Sequence, residues 1–317
     1  MALIVGPSVV LAALHPSPPV HLGVLLGDWQ HGPIAITGIV LEILAATLYL
    51  RGVHRLAARG RVWPWSRTVL FLTGIAVVAI ALQSGVGHYD DSVFVVHVVQ
   101  HWLLMSVAPI LMVLGAPVTL AIQAANRGFQ RRVISVLHSK PARLLSHPAV
   151  VGFLNYGTMY SYFMTSLYAL SLVHPLYHDF THLQFFAVGY LFWWQVVGLD
   201  SSPRRASFGV RAGFLVLGVP FDTFLGIALM SSRYPIAPQH TVADTRNGGA
   251  VLWILFGLTM MAGLGVVVYQ WMKQEERRAI REDSRLDAAR QLAQEGLNLS
   301  APNGTEAASG TMTKPEG

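Results

Sequence analysis

The stretch SVFVVHVVQHWLLMSVAPILMVLG, residues 92–115, decides how this chain is read. As a helix rising 1.5 Å per residue it is long enough to cross the roughly 30 Å hydrocarbon core of a bilayer. No Asp, Glu, Lys or Arg interrupts it, yet its first half carries His97 and His101. The i, i+4 spacing puts both imidazoles on one helix face. Met105 continues that stripe another turn, and Gln100 flanks it. Ionisable groups at membrane depth are costly, so a pair of them points to a ligand, ion, proton or cofactor.

Outward from that stretch, six further apolar runs of spanning length follow the same pattern. Together the seven cover roughly residues 33–50, 68–86, 92–115, 149–172, 179–198, 210–231 and 249–271. The 317-residue chain is 53% hydrophobic and only 12% charged, about half the charge of a soluble domain. The expected fold is an all-α, polytopic membrane bundle with no water-soluble domain of any size. Absence of cysteine excludes disulfides, thiolate metal sites and thiol redox chemistry.

Charge distribution orients the bundle. Of the 22 Lys and Arg residues, all but Arg233 and Arg246 fall in alternate connections or after the last span. These include Arg51 to Arg67, Arg127 to Arg143, Arg204, Arg205 and Arg211, and the run from Lys273 to Lys314. The positive-inside rule makes that side cytoplasmic and predicts an N-out, C-in topology. The net charge of +6 is therefore a topology signal, and no nucleic-acid partner is expected. The first 50 residues hold no Lys or Arg, so the basic region of a cleavable signal peptide is not expected. Trp193, Trp194 and Trp271 fit an inner aromatic belt, and Trp29 and Trp253 an outer one. Three regions follow: an extracytoplasmic segment 1–32, a transmembrane domain 33–272, and a cytoplasmic charged helix and tail 273–317. The sequons at Asn298 and Asn303 fall on the cytoplasmic side and carry no meaning there.

Histidines crowd the opposite face from the basic residues. Ten of thirteen map to the outer side or outer half: His15, His21, His31, His88, His97, His101, His174, His178, His182 and His240. His178 and His182 form a second i, i+4 pair at the start of span five. Imidazole suits copper, zinc and haem iron, and thioether sulfur selects copper(I). The candidate metal ligands are thus His97, His101, His178 and His182, with Met105 as an auxiliary. Gln100 and Asp179 are candidates to orient the ligating rings. The plainer reading is that each pair makes interhelical hydrogen bonds, worth about 1 kcal/mol in membranes, and that Met105 fills a gap in the packing.

Two carboxylates also fall inside spans. Glu42 and Asp222, the latter just after Pro220, should face the bundle interior. They could serve a proton- or ion-linked site, support the histidines, or clamp helices together. Asp90 and Asp91 could bind metal with His88 but also read as an exposed acidic loop; His240 and Asp244 carry the same ambiguity. Soluble-enzyme motifs are missing, and His-x-x-x-His lacks the Glu of the zinc-protease motif, since the second residue is Val98 or Asp179. No enzymatic activity is expected.

His97-Val98-Val99-Gln100-His101, followed by Ala108-Pro109 through Gly115-Ala116-Pro117, resembles the third-span signature of the CtaG family. These are multi-span assembly factors of caa-type cytochrome c oxidase, distinct from the single-span copper chaperone of the same name. A second block is similar to that family: His178-x-x-x-His182-Leu183, then Gly189 to Trp194, Gly198 and Pro203-Arg204-Arg205. The likeness covers roughly residues 30–272, with Tyr234-Pro235 and Asp244 to Trp253 compatible with its last outer loop. It implies a bacterial plasma-membrane protein that helps build haem-copper oxidase, by holding or delivering copper. Its implied partners are oxidase subunits or their copper chaperones. The resemblance brings no ligand set, so the histidines rest on the residues themselves. Two other functions stay open: a b-type haem electron-transfer protein with haem between spans three and five, and a copper transporter.

Overall fold

The computed structural model describes residues 21–202 and 206–300, with side chains up to residue 292. His15, Pro203, Arg204, Arg205, Asn303, Lys314 and the side chain of Asn298 lie outside the described residues. Every regular element among the described residues is helical. Helix α1 is Leu22–Gly27, α2 Pro33–Ala57, α3 Trp65–Gln83, α4 Gly85–Tyr89 and α5 Phe94–Trp102. A π-helical turn, Leu103–Val107, joins α5 to α6, Ala108–Leu114. Then come α7 Pro117–Ala124, α8 Arg127–Leu137, α9 Lys140–Leu145, α10 Pro148–Met164 and α11 Leu167–Ser171. The last three are α12 Pro175–Val197, α13 Phe208–Met230 and α14 Val242–Ser300. The chain divides into two compact units, Met1–Val268 and Tyr269–Gly317.

Among the described residues, five segments are long and apolar enough to cross a membrane: Pro33–Ala57, Trp65–Tyr89, Phe94–Ala124, Phe208–Met230 and Val242–Leu292. The other two expected runs take a different form. The run at 149–172 is broken: α10 stops at Thr165, which is extended, and α11 restarts two residues later. The Thr165 hydroxyl donates back to the Ser161 carbonyl and accepts from the Leu167 amide. This local hydroxyl bonding substitutes for the helical ladder. The run at 179–198 belongs to a longer helix, α12, which starts with Pro175 in its first turn, where a missing N–H costs nothing.

Caps explain where the helices turn. Asp200 accepts hydrogen bonds from the amides of Val118 (3.0 Å) and Thr119 (2.7 Å), satisfying the start of α7. At the end of α12, Gly198 takes φ 61°, a left-handed conformation that glycine adopts without strain. The buried Arg211 guanidinium donates to the carbonyls of Val196 (2.5 Å) and Val197 (2.9 Å) there, a cation at the negative end of a helix.

Apolar packing falls into zones. One, around Phe94, Val98, Met105, Tyr162, Phe163, Phe185 and Leu252, surrounds the histidine-bearing helices. Another gathers Phe192, Trp193, Trp194, Phe214 and Met260. Trp193 and Trp194 are therefore core residues, which corrects their reading as an interfacial belt. Trp29, Trp253 and Trp271 are exposed. Gly189 of α12 sits against the backbone of Met105 in the π turn, so closely that a Cβ there would overlap the Met105 carbonyl. This small-residue approach brings the two histidine-bearing helices together.

Candidate metal centre

His97 and His101 lie on α5, one turn apart, and both are 0% exposed. The π turn directly follows them, ahead of Pro109, whose missing N–H cannot complete the ordinary ladder. His178 and His182 occupy the first two turns of α12. The four rings converge. Centroid separations are 4.1 Å for His97–His101, 4.5 Å for His178–His182, 5.6 Å for His97–His178 and 5.9 Å for His101–His182.

Asp90 joins them from the turn between α4 and α5. One carboxylate oxygen, Oδ2, lies 3.1 Å from His182 Nε2, 3.2 Å from His178 Nε2 and 3.9 Å from His97 Nδ1. The residue is 3% exposed, so the exposed-loop reading of Asp90 does not hold. Burial alone would raise its pKa, but the His178 and His182 imidazoles beside it hold the carboxyl well below the usual carboxylate range. His88, the partner considered from sequence, lies 3.8 Å from Asp28 instead.

These groups are short of partners. Both ring nitrogens of His97 and of His101, Nε2 of His178 and of His182, and Asp90 Oδ2 are buried without a hydrogen bond of sound geometry. Buried polar atoms are normally satisfied, and a cluster of orphans calls for an explanation such as an ion. Ligand atoms of Asp90, His97 and His178 all lie within 4.8 Å of one another. A set of imidazoles with one carboxylate fits copper or zinc.

The remaining sequence candidates are distributed around this cluster. Met105 is buried in the apolar zone beside Phe185 and Tyr162. Gln100 donates to the Ala81 carbonyl at 3.1 Å rather than to an imidazole. Asp179 lines a neighbouring cavity that also touches His182 and Glu42. Glu42 accepts from the Gln83 amide at 3.0 Å, a clamp between α2 and α3. Asp222 is buried on α13, where its Oδ2 has no hydrogen-bond partner among the described residues.

A ring of support surrounds the cluster, formed by Asp244 and His240, which the sequence left between a metal site and an exposed loop, and by Tyr168, which was not a sequence candidate. Asp244 accepts from the amides of Phe94 (2.7 Å) and Val95 (3.3 Å), capping α5. His240 Nδ1 lies 3.2 Å from Asp244, and its Nε2 hydrogen-bonds the Tyr168 hydroxyl at 2.6 Å. Tyr168 in turn presents its ring edge-on to His97, centroids 4.7 Å apart. His240 and Asp244 thus take a supporting place beside the cluster, and no motif in the sequence pointed to Tyr168.

Residues 47–274 match the sequence profile described as cytochrome c oxidase caa3 assembly factor, which covers most of the chain. The chain belongs to the caa3 cytochrome c oxidase assembly factor family. Both histidine pairs and Asp90 of this family member fall inside the matched region. Relatives in Mycobacterium bovis and Mycobacterium tuberculosis, each named only as an uncharacterized protein, are 33% identical over 291 residues, 86% of this chain and 43% of theirs. A Mycobacterium leprae protein, named in the same way, is 33% identical over 283 residues, 84% and 42% of the two chains. The match spans less than half the length of these relatives. No solved structure matches it.

Proposed function

We propose that this chain is a seven-span protein of the bacterial plasma membrane, N-terminus out and C-terminus in. It holds copper, as copper(I), for the assembly of a haem-copper cytochrome c oxidase. The ligands are drawn from His97, His101, His178, His182 and Asp90, with Met105 as an auxiliary soft donor. Its partners are oxidase subunits or the copper chaperones that serve them, and its role is non-enzymatic. The observation that carries this reading is the convergence of four imidazoles and one carboxylate, all with unpartnered buried atoms, from two helices and one turn. Copper would neutralise Asp90 and satisfy the ring nitrogens, and the surrounding Phe and Tyr rings would exclude competing water.

A haem between the same helices would need its two axial rings parted by a flat apolar slot wide enough for the macrocycle. The four rings instead pack against one another around a carboxylate, an arrangement that supports an ion. The deciding measurement is the metal content of purified protein after copper exposure, wild type beside the variant with all four histidines changed to Ala. The expectation is stoichiometric copper in wild type, none in the variant, and no Soret band in either. Equal copper in both proteins would remove the proposed centre.

A further inference from the structure

A cavity of about 610 Å³ opens beside the histidine cluster, walled by α2, α3, the α5–π segment and α12. Its lining includes Thr37, Glu42, Gln100, Asp179 and His182, set among apolar side chains, with no Lys or Arg among the lining residues. His182 belongs to both spaces: it lines the cavity, and its Nε2 lies 3.1 Å from Asp90 Oδ2. The two histidine pairs differ in access. The side chains of His178 and His182 keep 13% and 10% of their surface accessible, against 0% for His97.

We infer that this cavity is the loading vestibule of the copper centre, with His182 as the residue that passes the cation from cavity to cluster. The inference rests on the copper reading above and adds a route to it. Copper must reach four buried rings, and α5 is sealed: Asp244 caps its start and Phe94, Phe163 and Tyr168 pack over His97. The side left accessible is that of α12. A concave space with low-dielectric walls and one sign of charge concentrates the opposite charge and raises association rates about 10-fold or more. Glu42 and Asp179 are the two carboxyl groups in its lining, with no basic side chain beside them there. Copper would meet their field first, then His182, then the inner pair His97 and His101. This also gives Glu42 a role beyond its clamp to Gln83.

The test follows copper(I) transfer from its coloured bicinchoninate complex into the purified full-length protein by stopped-flow absorbance. Two variants are compared with wild type: Glu42→Gln with Asp179→Asn, which removes the charge while keeping shape and the acceptor for Gln83, and Thr37→Trp, which fills the space. Both are expected to load about tenfold more slowly or worse and to reach the wild-type copper content at equilibrium. Loading within twofold of wild type in both variants, or a lowered final content, would overturn the vestibule while leaving the centre in place. Wild-type protein that takes up no copper would remove the centre itself, a separate failure.

Discussion

Asp244, at the start of α14, caps the helix that carries His97 and His101, accepting from the Phe94 amide at 2.7 Å although 150 residues separate the two in sequence. The same carboxylate meets His240, which holds Tyr168 against His97. The segment joining α13 to the first turn of α14 therefore fixes the first turn of the histidine helix. Removing a helix N-cap typically costs about 1–2 kcal/mol. Asp244→Ala is expected to lower the thermal midpoint of the detergent-solubilised protein and to weaken its copper affinity together. An unchanged midpoint would show that α5 needs no such cap.

Among the described residues, Asp90 is the one carboxylate within 4 Å of three of the four cluster histidines. Asp90→Asn keeps the volume but removes the charge that complements a bound cation. Copper affinity, read by competition with a chromophoric chelator, is expected to fall about 10- to 100-fold, the range seen when groups orienting metal ligands are lost. Retention of wild-type affinity would place Asp90 outside the centre.

His97→Ala with His101→Ala leaves α5 with smaller apolar residues on its buried face. A strain carrying this double variant is expected to lose cytochrome c oxidase activity while its other respiratory enzymes survive and the protein remains inserted in the membrane. Normal oxidase activity would count directly against the inner pair.

Gly189 has no room for a side chain, because the Met105 carbonyl occupies the place where a Cβ would sit. Gly189→Val must push α12 away from the π turn, an overpacking cost of about 1–3 kcal/mol, and so part the two histidine pairs. Reduced stability together with reduced copper binding is the expected outcome, measured on the same purified sample. Wild-type behaviour in both would mean that the helices approach less closely than described.

The proposed topology is open to a clean labelling experiment because the chain contains no cysteine. Ser92→Cys and Arg131→Cys each introduce one thiol at an exposed position. A membrane-impermeant maleimide added to intact spheroplasts should label the first and reach the second only after the membrane is broken. The reverse pattern would invert the orientation.

Much of the helical framework could be read directly, because hydropathy and proline placement are local properties. Pro33, Pro117, Pro148 and Pro175 each sit in the first turn of their helices. The two His-x-x-x-His pairs were equally legible, since i, i+4 spacing alone puts two rings on one face. The break at Thr165 was not, because a threonine that bonds its own backbone looks like any other residue in an apolar run. Nor was the burial of Trp193 and Trp194, whose cluster draws residues from α6, α10, α13 and α14 as well as from their own helix.

The chain by itself determined that its helices are apolar and long enough to lie in a membrane, and that histidines gather toward one end of them. Tertiary structure alone decided that rings from α5 and α12 share one pocket, that Asp90 rather than Asp179 enters it, and that Asp244 caps the helix bearing two of the rings. The physical reason is range. Hydrophobic periodicity is written within a few turns of helix, whereas the meeting of a carboxylate at position 90 with imidazoles at 178 and 182 depends on how close two backbones can come, here at Gly189.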